Sequence, residues 1–144
     1  MRSLSKTALK ALPVTLIIML TAAVAVAQKK NSSGSKGISI KGNGVFSYYN
    51  DAGYGACGTQ INAAAQELAS VSHVYWTAAS PENDPLCKKC ARVTYNGKTI
   101  TVPVKDKCPG CNATTIDLSL PAFQKLAHTD VGRAKGASWS IVDC

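Results

Sequence analysis

The chain has 144 residues, six cysteines and a formal net charge of +8, from 16 Lys and Arg against 8 Asp and Glu. This length suits one small domain after any targeting segment is removed. The charge is modest, and the sequence has neither a Gly-rich phosphate loop nor a motif that mixes basic and aromatic residues, so nucleotide and nucleic-acid binding are not expected.

Residues 1–27 have the features of a secretory signal. Three basic residues precede an apolar stretch, 14–26, and residues 25–27 form a small-x-small cleavage site. Cleavage there predicts a secreted protein, extracellular or in the cell wall, with no remaining membrane segment. An uncleaved N-terminal anchor is the alternative.

Residues 28–41 are predicted to form a flexible basic linker. They include four lysines, four serines and only two large apolar residues. Such a stretch cannot bury enough surface to offset the entropy lost on ordering. Asn31 in this segment, and Asn112 farther along, match the acceptor pattern for N-glycosylation.

Residues 42–144 are predicted to form one strand-rich domain. An aromatic strand is expected at 45–49 and a last strand at 137–142. The segment 91–104 is predicted to be a hairpin, because its Asn96-Gly97 pair suits a turn in which both central residues have positive φ.

One helix is predicted to start near Ser119, with Pro121 in its first turn. Its inner face is expected to hold four apolar residues: Leu120, Phe123, Leu126 and Ala127. Short strands with so little helix are typical of a small barrel or sandwich.

The cysteines include two Cys-x-x-Cys pairs, 87–90 and 108–111, separated by seventeen residues. In an intracellular protein this spacing is typical of a zinc ribbon. Behind a secretory signal, an even cysteine count indicates three disulfides instead. We therefore expect no metal and no cofactor. Fifteen pairings are possible on the count alone.

Six short motifs occur in one order along the domain. They are GVFSYY from Gly44, GACG from Gly55, CKKCARVT from Cys87, VKDKC from Val104, IDLS from Ile116 and IVDC from Ile141. Together they resemble the double-psi β-barrel superfamily, which includes the first domain of expansins, barwin-like defence proteins, rare lipoprotein A domains and small relatives that include a protease inhibitor. The resemblance implies a mainly β fold, a six-stranded double-psi β-barrel with short helices, stapled by disulfides.

The resemblance also implies disulfide pairings. The expansin pattern implies Cys57–Cys87, Cys90–Cys144 and Cys108–Cys111. The barwin pattern likewise joins the second cysteine of the first Cys-x-x-Cys pair to the last residue, but it implies Cys57–Cys108 and Cys87–Cys111.

Two carboxylates are the main catalytic candidates. Expansins carry an acid at the positions of Asp106 and Asp117, where a pair of carboxylates can act as general acid and base or accept hydrogen bonds from sugar hydroxyls. Rare lipoprotein A domains use a histidine with the first acid to cleave peptidoglycan strands, and His73 resembles that histidine. The alternatives are ordinary turn or capping roles for the aspartates and a surface role for the histidine.

Ser47 and several aromatic residues are the ligand-binding candidates. Ser47 and Tyr48 stand where expansins have a Thr-Tyr pair. Aromatic rings can cover the apolar face of a sugar. The candidates for this stacking are Tyr48, Tyr49, Tyr54, Tyr75 and Trp76. The alternative for each ring is packing in the core.

The first functional hypothesis is a monomeric, secreted, expansin-like protein that binds cell-wall polysaccharide without hydrolysing it. Its groove would be lined by Ser47, Tyr48, Asp106 and Asp117.

Two alternatives remain open. The first is a defence or effector protein that inhibits a cysteine protease through an exposed loop at 78–86, held by Cys87. The second is a glycan-cleaving enzyme of the lytic transglycosylase type, using Asp106 with His73 or Asp117. The expected partner is therefore a wall polysaccharide or a cysteine protease. Binding to a membrane or to a nucleic acid is not expected.

Overall fold

The computed structural model describes residues 37–144, which contain eight strands and one α-helix. The strands are β1 (Ser39–Tyr49), β2 (Ala52–Tyr54), β3 (Gln60–Asn62), β4 (Ala69–Ser72), β5 (Lys89–Tyr95), β6 (Lys98–Cys108), β7 (Thr115–Ser119) and β8 (Arg133–Asp143), and the helix is α1 (Leu120–Leu126). The predicted signal at 1–27, the linker up to residue 36 and Asn31 lie outside the described residues.

Six strands close into a barrel in the order β1-β7-β4-β6-β5-β8, and β2 pairs with β3 in a separate two-stranded sheet. The β1–β7 and β4–β6 pairs are parallel, and the other barrel pairs are antiparallel. The predicted six-stranded double-psi β-barrel is confirmed. Closure matters because it leaves no barrel strand with an unpaired edge.

The domain starts earlier than the sequence suggested. Strand β1 begins at Ser39, inside the segment predicted as linker, and its first residues pair with Ser140 and Trp139 of β8. The physical reason is that Ile38 and Ile40, which alternate with polar residues, pack against the core. The boundary therefore moves from residue 42 to Ser39.

The predicted hairpin is present as β5 and β6. Asn96 has φ 48° and Gly97 has φ 76°, as an Asn-Gly turn requires. Val102 and Val104 are buried and Ile100 packs beside them, so the alternation in β6 points one face at the core. The last strand is longer than predicted, and it begins at Arg133.

The predicted helix is also present, with Pro121 in its first turn. Its buried residues are Ala122, Phe123 and Leu126, while Leu120, predicted to be on the inner face, is only half-buried. The Phe123 ring lies 5.1 Å from that of Phe46, which places α1 against the barrel core. No helix among residues 37–144 has the length and apolar character to cross a membrane.

Two hydrophobic clusters support the fold. The main cluster fills the barrel, and its largest fully buried side chains are Trp139, Phe46, Phe123, Ile116 and Leu118. A smaller one lies beside the β2–β3 sheet and consists of Ile61, Ala63 and Leu68, with Tyr49 packed against it. The smaller cluster therefore attaches the β2–β3 segment to the end of β1.

Three disulfides staple the domain: Cys57–Cys87, Cys90–Cys144 and Cys108–Cys111. These are the pairs that the expansin pattern implies. Cys90–Cys144 is common to both patterns, whereas the Cys57–Cys108 and Cys87–Cys111 pairs of the barwin pattern are not formed. All six cysteines lie within residues 37–144 and all are bridged there, so no thiolate is left for the zinc-ribbon alternative. The second bridge ties the last residue of the chain to β5 and holds β8 in the barrel.

Candidate functional site

Four polar side chains form a row across four neighbouring strands. In the strand register, Ser47 on β1 lies opposite Asp117 on β7, Asp117 lies opposite Ser70 on β4, and Ser70 lies opposite Asp106 on β6. Residues directly opposite one another point to the same side of a sheet. We call Ser47, Ser70, Asp106 and Asp117 the carboxylate row. The structure therefore brings together both predicted carboxylates and Ser47.

Asp117 is held in a partly desolvated environment. Its Oδ1 accepts a hydrogen bond of 2.8 Å from the Ser47 hydroxyl. Burial raises the pKa of Asp117, and this effect outweighs the Ser47 hydrogen bond and the positive charge of Arg133; the negative charges of Asp51 and Asp106 raise the pKa further. The carboxyl therefore keeps its proton to a higher pH than an exposed aspartate does, as a general acid must.

Asp106 is anchored through one oxygen. Its Oδ1 accepts hydrogen bonds from the Ala56 amide (2.8 Å) and the Lys107 amide (2.9 Å). The segment around Ala56 comes this close because residue 55 is glycine: a Cβ there would lie 2.4 Å from the Lys105 carbonyl oxygen. The Oδ2 atom of Asp106 has no hydrogen bond within residues 37–144.

Tyr49 lies close to the carboxylate row. Its hydroxyl is buried and has no hydrogen-bond partner in the described part of the chain, an uncommon state for a buried polar atom. Burial raises the pKa of this phenol above its ordinary value, and the nearby charges of Asp106, Asp117 and Asp51 raise it further. The hydroxyl therefore stays protonated.

Sequence reasoning missed Asp51, Ser70 and Arg133 as members of this neighbourhood. The charges of Asp51 and Arg133 act on Asp117 in opposite directions. Ser70 lies between the two carboxylates in the register. Asp51 lies two residues after the end of the predicted strand 45–49, and a polar residue close to a strand end is a usable sequence signal. The positions of Ser70 and Arg133 depend on strand pairing that no local motif reveals.

The other aromatic candidates have partners within the fold. The Tyr48 ring packs on Phe123 at 4.8 Å and faces the core, so the structure removes it from the predicted groove. Tyr75 donates its hydroxyl hydrogen bond to the Ala113 carbonyl at 2.5 Å. Trp76 donates from Nε1 to the Val71 carbonyl at 3.1 Å. By contrast, Tyr54 on β2 is 80% exposed.

His73 does not join the carboxylate row. It is exposed and begins a short 3-10 turn, His73–Tyr75. Between residues 37 and 144, no hydrogen bond or ion pair connects its imidazole to Asp106, whose oxygen binds backbone amides instead. The predicted His–Asp pair is therefore not formed in this structure.

A second structured surface is the segment Thr77–Cys87, which we call the Asp84 loop. Asp84 is only 2% exposed. Its Oδ2 accepts from the amides of Thr77 (2.7 Å) and Ala78 (2.8 Å), and its Oδ1 accepts from the amide of Leu86 (3.0 Å). Burial raises the pKa of Asp84, but the hydrogen bonds from these amides together outweigh burial and leave the pKa below its ordinary value.

The tip of the Asp84 loop is exposed while its two ends are fixed. Four residues at the tip face solvent: Ala79, Ser80, Glu82 and Asn83. Prolines start both of its 3-10 turns, Pro81–Asn83 and Pro85–Lys88. At the end of the loop, Cys87 forms a disulfide with Cys57. Cys57 directly follows Ala56, whose amide donates a hydrogen bond to Asp106.

Asn112, the second glycosylation candidate, is exposed. Its side-chain oxygen accepts hydrogen bonds from the Thr114 amide (3.1 Å) and the Thr115 hydroxyl (2.9 Å). Within the described residues, no group of three or more His, Cys, Asp or Glu side chains is arranged to hold a metal ion.

Comparison with known proteins gives two kinds of match. The family model described as lytic transglycolase matches residues 41–137. The papain inhibitor of Streptomyces mobaraensis is 51% identical over 106 residues, which cover 73% of this chain and 74% of the inhibitor.

Solved structures agree with these matches. The structure of a Streptomyces papain inhibitor has a TM-score of 0.69 at 50% identity and covers 72% of this chain and 94% of its own. The apo expansin of Clavibacter michiganensis has a TM-score of 0.55 at 25% identity and covers 73% of this chain and 50% of its own.

Proposed function

This chain belongs to the lytic transglycolase family of double-psi β-barrel domains, and within that family we propose that it is a secreted inhibitor of papain-like cysteine proteases. The observation that carries the proposal is the likeness to a papain inhibitor, which extends over most of both chains. The likeness to the expansin is much lower in identity. The expansin-like function, expected first from the sequence, therefore becomes the second candidate.

The Asp84 loop supports an inhibitory role. A protein inhibitor must present an exposed segment that fills the protease cleft and is already rigid, because ordering a flexible loop on binding weakens affinity. Here the carboxylate of Asp84 binds three amides of its own loop, and the Cys57–Cys87 disulfide fixes the end of the loop. The exposed tip can therefore enter a cleft with little loss of entropy.

The proposed mechanism needs no covalent step. The loop tip would occupy the substrate cleft, and the barrel would hold the tip in place. Because the ends of the loop are fixed, tight binding would come mainly from slow dissociation. The proposed location outside the cell is consistent with three disulfides, which persist in oxidising compartments.

Titration of papain with the purified protein tests this proposal. Hydrolysis of a fluorogenic peptide should fall in proportion to added protein until the protease is saturated, and the inhibitor should be recovered uncleaved. A serine protease such as trypsin serves as the control and should keep its activity. Full papain activity in a large molar excess of protein would contradict the proposal.

A glycan site at the carboxylate row is the second candidate. Two observations favour it: the raised pKa of Asp117, and the Oδ2 of Asp106, which has no hydrogen bond within residues 37–144. Such groups can bind sugar hydroxyls, and an acid that keeps its proton can also protonate a glycosidic oxygen. The exposed ring of Tyr54 offers a stacking surface.

Pull-down on cellulose, chitin and peptidoglycan tests this second candidate. If the row binds glycan, the parent should be retained and Asp106→Asn should be retained less. Analysis of soluble products then separates binding from cleavage. Equal retention of the parent and the variant on every polymer would remove the row from consideration.

A further inference from the structure

A polar surface on the other half of the barrel wall has no role in either function. In the register of β1, β8 and β5, Ser39 lies opposite Ser140, and Ser140 lies opposite Arg92. Two residues away on the same face, Ser138 of β8 lies opposite Thr94 of β5. These side chains point outward, because the residues that alternate with them pack in or against the core: Ile40, Val93 and Trp139.

A β-bulge opens this surface. Between the pairs Ile40–Trp139 and Gly44–Ala137, strand β1 has three residues where β8 has only Ser138. Gly42 has φ 71°, and its amide donates to the Ser138 hydroxyl at 2.9 Å. Bulges redirect side chains and are frequent beside binding sites. This one places Lys41 at the rim of a pocket.

The pocket has a volume of about 190 Å³, and its polar lining is two cations and four hydroxyls. These residues are Lys41, Arg92, Ser39, Thr94, Ser138 and Ser140. No acidic side chain contributes to the lining. Neither cation is in an ion pair within residues 37–144, whereas Lys89 and Lys125 elsewhere on the surface are paired with Asp143 and Glu67.

We propose that this pocket binds an acidic saccharide, a sugar chain that carries carboxylate or sulfate groups. The Arg92 guanidinium can bind such an oxyanion through two parallel hydrogen bonds, and the Lys41 ammonium adds a second positive charge. The hydroxyls of Ser39 and Ser140 can donate to and accept from sugar hydroxyls. Thr94 already shares a hydrogen bond of 2.8 Å with the Thr99 hydroxyl, and Ser138 accepts from Gly42, so each of these two has only its remaining capacity to offer. Neighbouring strands lie about 4.8 Å apart, so the hydroxyls on adjacent strands are spaced to contact successive positions of a bound sugar chain.

A nucleic acid fits this surface less well. Single-stranded nucleic acid is bound by stacking bases on exposed aromatic rings, and the one ring at this pocket, Trp139, is 2% exposed. The site uses neither the Asp84 loop nor the carboxylate row. Its existence is therefore independent of the inhibitory function proposed above.

Binding of the full chain to immobilised polymers tests the proposal. The probes are polygalacturonate for carboxylate, dextran sulfate for sulfate, unmodified dextran as the neutral polymer and single-stranded DNA. The test variant is Lys41→Gln with Arg92→Gln. The matched control is Lys98→Gln with Lys135→Gln, which removes the same charge from two exposed residues that lie outside both the pocket and the Asp84 loop.

We expect the parent to bind at least one acidic polysaccharide and not dextran, and the polymer that binds identifies the anionic group. The test variant should bind at least tenfold more weakly, and the control should stay within twofold of the parent. Papain inhibition should be the same in all three proteins, so failure of this site and failure of the inhibitory function are distinguishable. Equal weakening in test variant and control, no binding to either acidic polymer, or equally tight binding to DNA would each overturn the proposal.

Discussion

The Asp84 loop and the carboxylate row each contain an aspartate that is at least partly buried, Asp84 and Asp117, yet the pKa values of the two carboxyl groups are shifted in opposite directions. Asp84 accepts hydrogen bonds from three backbone amides, and its pKa is lowered. Asp117 accepts one hydrogen bond, from Ser47, and its pKa is raised. Burial raises both pKa values. At Asp84 the hydrogen bonds outweigh burial, whereas at Asp117 burial and the charges of Asp51 and Asp106 outweigh Ser47 and Arg133.

This difference separates a structural carboxylate from one that is ready for a ligand. The hydrogen bonds of Asp84 are used to hold the loop together, which is what a rigid inhibitory segment needs. Asp117 has capacity left for another donor, as a binding or proton-transfer group needs. The comparison predicts that substitutions in the two regions affect stability in opposite ways.

Removal of the Cys57–Cys87 disulfide should have the largest effect. This bridge joins the end of the Asp84 loop to the segment whose amide binds Asp106, so it supports both regions. We expect Cys57→Ser with Cys87→Ser to lose roughly 2–5 kcal/mol of unfolding free energy. Thermal melts followed by circular dichroism measure the loss. A double variant as stable as the parent would show that the two regions are held independently of this bridge.

Asp84→Asn should lower the unfolding free energy by less than loss of the disulfide does, by about 1–3 kcal/mol. The single amide oxygen of Asn cannot accept from all three backbone amides, so buried donors are left unpaired. Asp143→Asn is the matched control. It removes an equal charge from the exposed pair with Lys89, and exposed ion pairs contribute little to stability because water and salt screen them. Equal stability of the two variants would contradict the structural role of Asp84.

The cost of Asp84→Asn should also depend on pH. The pKa of Asp84 in the folded state lies below the ordinary value of 3.8, so its contribution is complete above that value and is lost as pH falls through the folded pKa. Melts of parent and variant should therefore converge only in strongly acid solution. A difference that is the same at every pH would mean that the ionisation of Asp84 does not stabilise the loop.

Asp117→Asn should have the smallest effect on stability. Because its pKa is raised, the ionised form destabilises the native state at every pH above the folded pKa, and this penalty disappears as pH falls through it. At neutral pH we expect the variant to be within about 0.5 kcal/mol of the parent or more stable. A clear loss of stability at neutral pH would indicate that Asp117 has a structural role like that of Asp84.

The parts of this molecule that were predictable from sequence are those fixed by local chemistry. The Asn96-Gly97 turn identified the hairpin, and Ser119 with Pro121 identified the helix start. The order of the family motifs identified the barrel and the two acids. The β-bulge at Gly42 was not predictable, because no local motif shows that three residues of β1 lie opposite the single residue Ser138 of β8.

Side-chain direction in the strands was the least predictable property. Tyr48 and Tyr49 are adjacent in sequence, but strand alternation sends the first to the core beside Phe123 and the second towards the carboxylate row. A shift of one residue exchanges the two faces. The hydrogen bonds of Asp84 depend on the path of the whole loop, so its role was visible only in the structure.

The most direct test of the account is the inhibition constant for papain measured on three single variants. Asn83→Arg adds a large cation to the exposed tip of the Asp84 loop, Gln124→Arg adds the same side chain to an exposed position on α1, and Asp117→Asn alters the carboxylate row. We predict at least tenfold weaker inhibition by Asn83→Arg, and inhibition within twofold of the parent for the other two. Loss of inhibition in Asp117→Asn with full inhibition by Asn83→Arg would contradict the account and move the inhibitory contact to the carboxylate row.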